Sequence, residues 1–132
     1  MRERVVAVIP ARRAAGTIGG VVRGVLRHCD RVVVGDDASD DGTGEAARGA
    51  GARVIVMPRH RGKGEVLRRL LSEAWSLGAT VAVALDADGQ HDPEDIPRFL
   101  AAHARDPGAL LVGDRLAGGD RIPRARLAAQ RL

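Results

Sequence analysis

At 132 residues, with 45% hydrophobic and 29% charged residues, the chain is long enough to bury one core and has the composition of a folded globular domain, which excludes an intrinsically disordered segment. The formal charge of +4 comes almost wholly from arginine and suits anionic partners, but aromatic residues are 2% and tyrosine is absent, which leaves little to stack nucleic-acid bases on. The single Cys29 cannot close an internal disulfide, and no charged-apolar-small leader opens the chain. A cytoplasmic location is therefore expected. No apolar run approaches the ~18 residues that span a bilayer.

Val5 to Ile9 is an uninterrupted apolar run closed by Pro10 and reads as the first strand. After the loop Ala11 to Gly16 the period changes: Ile18, Val21, Val22, Val25 and Leu26 form one helical stripe, with Thr17 as its N-cap. Arg31 to Gly35 is the next strand and runs into Asp36-Asp37-Ala38-Ser39-Asp40-Asp41-Gly42-Thr43. A short helix from Thr43 to Ala50 stops at Gly51, and Arg53 to Met57 is a strand ended by Pro58. Arg59-His60-Arg61-Gly62-Lys63-Gly64 then leads into a helix whose Val66, Leu67, Leu70, Leu71, Ala74 and Trp75 keep helical spacing, so Trp75 is expected in the core.

Val81 to Leu85 is a continuous apolar run, the mark of a strand buried on both faces, and it stops at Asp86-Ala87-Asp88-Gly89-Gln90-His91. If the backbone stays extended, Asp86 and Asp88 leave on the same face with Cα atoms roughly 6 to 7 Å apart. Two such carboxylates repel unless a cation joins them, and a hard ion such as Mg²⁺ or Mn²⁺ is the natural occupant, with Gln90 as a third oxygen. Taken alone, an Asp-x-Asp is more often a solvated acidic turn. Asp92 is expected to cap a helix with Pro93 at its first position and Ile96, Phe99, Leu100 and His103 on its inner stripe, and Ala109 to Val112 is the last expected strand.

Five strands alternating with four helices imply an α/β fold with a mostly parallel sheet covered on both faces, and ligands of such sheets bind outside the carboxyl ends of the strands. Asp36, Asp37, Lys63, Asp86, Asp88 and Arg115 all follow strand ends. Acids to hold a divalent ion, acids to accept bonds from a base or ribose, and Lys and Arg to neutralise phosphate together describe a site for a nucleoside diphosphate. Neighbouring patterns do not fit. A receiver domain would not place a whole β-α unit before its Asp pair, and a dehalogenase-type phosphatase carries its Asp-x-Asp on the first strand, followed by Thr. His91 occupies the Gly of an EF-hand, and Arg61-Gly62-Lys63-Gly64 lacks the spacing of a P-loop.

Val8-Ile9-Pro10-Ala11, Val34 to Thr43, Arg61-Gly62-Lys63-Gly64 and Leu85 to Pro97, in that order, resemble the inverting GT-A-fold glycosyltransferases of family 2, closest to the polyprenyl (dolichol) phosphate mannosyl and glucosyl synthases. The resemblance runs from Val5 to Arg115 and implies a Rossmann-like three-layer α/β/α sandwich. Residues 1–115 would form the nucleotide-sugar-binding donor half, and residues 116–132 a basic tail that begins an acceptor half lying elsewhere. It implies backbone contacts to the nucleotide from Pro10 and Ala11, a base or ribose contact from Asp37 supported by Asp36, and Lys63 near the phosphates. Asp86, Asp88 and Gln90 would bind Mg²⁺ or Mn²⁺, Asp86 would also lie near ribose or sugar, and Asp88 and Arg115 would serve catalysis, Arg115 by meeting phosphate. His91 reads as a capping or supporting group behind the ion rather than as a base.

The implied reaction moves a hexose from a GDP- or UDP-sugar to an acceptor such as polyprenyl phosphate; the alternative is a nucleotide-sugar-binding remnant without turnover. Expected partners are thus the nucleotide sugar, a polyprenyl phosphate at a membrane surface, a second copy of the chain, and no nucleic acid. In the tail, Arg121, Arg124, Arg126 and Arg131 alternate with Ile122, Leu127 and Leu132, which suits a basic amphipathic segment on the cytoplasmic face of a membrane. Three departures from the family pattern stand out. Arg12-Arg13-Ala14 replaces an aromatic, Asn and Glu, Ala38 replaces a usual Gly, and His60 replaces the common Asn before Arg-Gly-Lys-Gly.

Overall fold

The first apolar run becomes the inner strand β1, Val5–Ala11, in a computed structural model that describes residues 3–107, 110–111 and 124–125. It is followed by α1 (Ile18–Leu26), β2 (Arg31–Asp36), α2 (Thr43–Gly49), β3 (Arg53–Val56), α3 (Lys63–Ser76) and β4 (Val81–Ala84). These strands form one four-stranded sheet in the order β3-β2-β1-β4, parallel throughout. A first compact unit ends at Glu94 and a second begins at Asp95.

Alternation along the strands divides the first unit into three layers. Val6, Val8 and Val33 pack with Val66, Leu70 and Ala74 of α3 on one face, all fully buried. Ala7, Ile9, Val32 and Val34 point the other way, the side of α1 and α2, where Ile18, Val22, Val25 and Ala47 are buried. Each of these valines and leucines contributes on the order of 2 kcal/mol by leaving water. Gly35 sets the closeness of α3 to β2, because a Cβ there would lie 2.5 Å from Val66 Cγ1 and 3.1 Å from Leu70 Cδ2.

Several expectations are corrected. Pro10 does not end β1: the strand runs through it to Ala11. Val8 O accepts from Leu85 N on the β4 side, whereas Ala11 O accepts from Asp37 N on the β2 side, so the side of Pro10 that lacks an N–H faces β4. Pairing with β4 already stops at Val8 and Ala84, and the proline breaks no ladder bond. Nor is β4 buried on both faces. It is an edge strand among the described residues, Ala82 and Val83 are half-buried and Ala84 is exposed, although Val81 and Leu85 are buried.

Trp75 is not in the core either, being 37% exposed. The buried line of α3 is Val66, Leu70 and Ala74, and Trp75 sits about 100° further round the helix. Asp92 does accept the Glu94 N–H at 2.9 Å, but Pro93–Asp95 form a 3-10 turn and α4 starts only at Ile96, running to Arg105. Pro97 cannot donate the bond that would carry an α-helix back over that turn.

In the second unit Ile96 is buried and Phe99, Leu100 and His103 are half-buried. The fifth expected strand is described as β5, Leu110–Leu111, antiparallel to β6, Arg124–Ala125; among the described residues the parallel sheet of the first unit contains four strands. Arg115 lies outside the described residues, as does the expected basic tail apart from Arg124–Ala125. No helix among the described residues is long and apolar enough to cross a membrane.

Candidate functional site

The strand order β3-β2-β1-β4 sets the ends of β1 and β4 side by side at the carboxyl edge of the sheet. That edge is where parallel α/β sheets take their ligands. The loops around it are tied by side chains of the β2 acidic run. Ser39 Oγ accepts the Arg13 N–H at 2.9 Å, Thr43 Oγ1 the Ala14 N–H at 2.9 Å, and Asp41 the Ala15 N–H at 3.3 Å. The Thr43 hydroxyl donates to Asp41 and is the main cause holding that carboxyl below its ordinary value. Arg13 (φ 50°) and Ala38 (φ 58°) both sit in the left-handed region, where the family's usual glycine at position 38 would be relaxed.

Asp36 and Asp37 are consecutive, so they leave β2 in opposite directions. Asp36 is buried towards α2, with its Oδ1 accepting the Ser39 N–H at 3.0 Å and its Oδ2 3.0 Å from where a Cβ on Gly44 would lie. Asp37, also buried, accepts the Arg61 N–H at 2.7 Å and the Gly62 N–H at 2.9 Å, and His60 Nδ1 lies 2.7 Å from its Oδ2. Burial alone would raise its pKa, but the two backbone N–H groups and His60 outweigh that and hold it below the ordinary 3.8. Gly62 has φ 91° and ψ 154°, a conformation open essentially to glycine alone, and from it the chain turns directly into α3. Asp37 thus anchors the loop that delivers Lys63.

Lys63, the only lysine in the chain, heads α3 and places its Nζ on Asp86 Oδ1. Asp86 follows β4 and is half-buried; His91 Nδ1 accepts its N–H at 3.0 Å, which leaves the imidazole Nε2 3.6 Å from Asp86 Oδ2. Asp88 is exposed, with Oδ1 accepting the Gln90 N–H at 3.0 Å. Between the two acids the backbone is pinned by Thr17, whose hydroxyl donates to Ala87 O at 2.7 Å. Thr17 does occupy the N-cap position of α1, but its side chain makes no capping bond.

The fold therefore brings Lys63, Asp86 and His91 together, sets Asp88 and Gln90 on the same turn, and connects Asp37 to this group through the Arg61–Lys63 backbone. At the end of β1, Pro10 is half-buried and Ala11 buried, and the Ala11 carbonyl accepts the Asp37 N–H at 2.9 Å. Three contributors were not foreseen in these roles: Thr17, His60 and Thr43. His60 was visible only as an odd residue before Arg-Gly-Lys-Gly, and the other two carried no signal for the bonds they make.

No group of three or more His, Cys, Asp and Glu converges as a metal cage among the described residues. The donor chemistry still fits a hard divalent ion. Asp88 offers an exposed carboxylate, and such ions commonly take one or two carboxylates and complete their shell with substrate phosphate and water.

A parallel α/β domain with acids and a lysine at the carboxyl edge of its sheet is the architecture of the GT-A glycosyltransferases. The chain belongs to glycosyl transferase family 2, whose family model matches residues 6–131. It is 36% identical over 129 residues to a polyprenol monophosphomannose synthase of Mycolicibacterium smegmatis, covering 91% of this chain and 48% of the relative. It is also 33% identical over 132 residues to an undecaprenyl-phosphate mannosyltransferase of Micrococcus luteus, covering 94% and 51%. The crystal structure of glucosyl-3-phosphoglycerate synthase from Mycobacterium tuberculosis, in complex with Mn²⁺, UDP-glucose and phosphoglyceric acid, matches with a TM-score of 0.70 at 25% identity, over 89% of this chain and 45% of that one. The chain spans about half the length of the curated relatives it matches.

Proposed function

We propose that this chain is the donor-binding part of a glycosyltransferase that moves a hexose from a nucleoside diphosphate sugar to a polyprenyl phosphate with inversion at the anomeric carbon. One observation carries the reading: Lys63, Asp86, His91 and an exposed Asp88 meet where β4 ends beside β1. The names of the polyprenol and undecaprenyl phosphate relatives support the acceptor class, and the UDP-glucose complex of the structural neighbour supports the donor class.

In this reading the nucleoside lies across the carboxyl ends of β1 and β2, against the Pro10–Ala11 backbone, with Asp37 and Asp36 behind it. The diphosphate lies over the start of α3, where Lys63 offsets its charge and the first turn presents unpaired N–H groups. Asp88, with Gln90 beside it and Asp86 behind, holds Mg²⁺ or Mn²⁺, which when bound stabilises the negative charge of the departing nucleoside diphosphate. Arg115 meets donor or acceptor phosphate.

An oxygen of the acceptor phosphate attacks the anomeric carbon as the bond from that carbon to the diphosphate oxygen breaks. The diphosphate takes the bonding electrons and leaves. A phosphate monoester with a second pKa near ~6 is already anionic at neutral pH, so no side chain has to remove a proton, and His91 is free to brace Asp86. The acceptor also sets the location, at the cytoplasmic face of a membrane.

The test is calorimetric titration of UDP, GDP and their sugars into wild type and Asp88→Ala, with and without Mn²⁺. The ion-dependent part of nucleotide affinity is expected in wild type and lost in the variant. Equal ion dependence in both would refute the reading.

A further inference from the structure

The Lys63–Asp86 pair raises a conflict that the site must resolve. A carboxylate that serves a divalent ion is here already held by an ammonium on Oδ1, and the edge of His91 lies against Oδ2. We infer that Lys63 is a built-in counter-ion, which withholds Asp86 from the divalent ion until a nucleoside diphosphate draws the ammonium onto its own oxygens. The ion is then taken first by Asp88, and Asp86 joins only once the diphosphate is present. This inference rests on the donor-binding reading and adds an order of events to it.

Four features distinguish the pair from a passive surface contact. First, the backbone under Lys63 is fixed, because Asp37 holds the N–H groups of Arg61 and Gly62 immediately before it. The ammonium is thus aimed, while its side chain, 64% exposed, has room to swing away. Second, the Asp86 side chain is only 23% exposed, so the charge that neutralises it is screened less than one at the open surface.

Third, every other Lys or Arg position in this chain is arginine. An arginine here would grip the carboxylate through two parallel bonds, whereas lysine is a single point charge that phosphate can capture. Fourth, the neighbouring Arg61 is turned to Glu65, with its guanidinium 3.6 Å from that carboxylate. The consequence is positive coupling between diphosphate and ion, carried by one side chain.

The experiment measures Mn²⁺ alone, without nucleotide, by the electron paramagnetic resonance signal of the free ion, on the 132-residue chain. Lys63→Met is expected to bind Mn²⁺ about tenfold more tightly than wild type, within the usual range for coupled sites. Asp86→Asn should cancel that gain in the Lys63→Met background, the signature of two coupled positions. Lys63→Gln serves as a second variant, and circular dichroism reports folding for each.

Because Lys63 is the only lysine, reductive ¹³C-methylation also labels it as the one side-chain amine, and its resonance should move on adding UDP without metal. The inference is overturned if Lys63→Met and Lys63→Gln bind Mn²⁺ no more tightly than wild type, or if Asp86→Asn weakens wild type as much as Asp88→Asn does. Retention of full Mn²⁺ affinity by Asp88→Asn would instead overturn the donor-site reading itself, and this inference with it.

Discussion

Replacing Asp37 tests whether the loop that presents Lys63 is held from the end of β2. In the folded chain its carboxylate, 4% exposed, takes the Arg61 N–H at 2.7 Å, the Gly62 N–H at 2.9 Å and His60 Nδ1 at 2.7 Å. Hydrogen bonds to a charged group are each worth about 1.5 to 3 kcal/mol, and a donor stranded in a buried place costs about 1 to 3 kcal/mol. Asp37→Ala strands two backbone donors that the strained path through Gly62 cannot readily turn to water, so a loss of about 3 to 5 kcal/mol is expected. Asp37→Asn keeps one acceptor and turns an amide towards the other donor, for about 2 kcal/mol. The assay is urea denaturation at neutral pH. With a slope of about 1.5 kcal/mol per molar, Asp37→Ala lowers the midpoint by about 2 M or more. Hydrogen exchange at Arg61 and Gly62 should accelerate in the same variant. A change within about 0.5 kcal/mol, the level of an ordinary surface substitution, would refute the anchoring role.

Gly35→Ala is expected to destabilise by about 2 to 3 kcal/mol, since its Cβ would press on Val66 and Leu70 in a packed layer; a urea midpoint equal to wild type would contradict the close approach of α3 to β2. Thr17→Val should cost about 1 kcal/mol and weaken nucleotide-dependent Mn²⁺ binding, while Thr17→Ser, which keeps the bond to Ala87 O, should restore both, and equal behaviour of the two variants would count against that bond. Acid should unfold the chain in a defined direction, because Asp37 and Asp41 both lie below 3.8 when folded. Their stabilisation is present above the ordinary aspartate range and lost as pH falls through the folded values, so the urea midpoint should drop below about pH 4, less steeply in Asp37→Asn. A midpoint that rose on acidification would reverse that sign.

Patterns that act within a few residues were readable from the chain alone. The apolar runs at Val5 and Arg31 became adjacent parallel strands, and the Ile18, Val21, Val22, Val25 stripe became the buried face of α1. Asp86 and Asp88 could be found because a strand ended at an acid. Periodicity defines which face of an element is apolar, but not how many neighbours cover it. Val81 to Leu85 therefore read as a doubly covered strand and is an edge in the described sheet, and Trp75 read as core although it lies one step beyond the buried line of α3.

The bonds that assemble the site were beyond such reading for a related reason. Lys63 meets Asp86 across 23 positions, Asp37 meets Gly62 across 25, and Thr17 meets Ala87 across 70. Each depends on the strand order β3-β2-β1-β4, which sets the β4 loop beside the start of α1 and the start of α3 beside the end of β2. Thr17 makes the reason concrete. A hydroxyl at the head of a helix can cap an N–H of its own first turn or donate to a carbonyl brought opposite, and local sequence favours the cap equally well in either case. With the Ala87 carbonyl 2.7 Å away, donation to it prevails, and the residue that looked like punctuation for α1 instead fixes the backbone between the two acids.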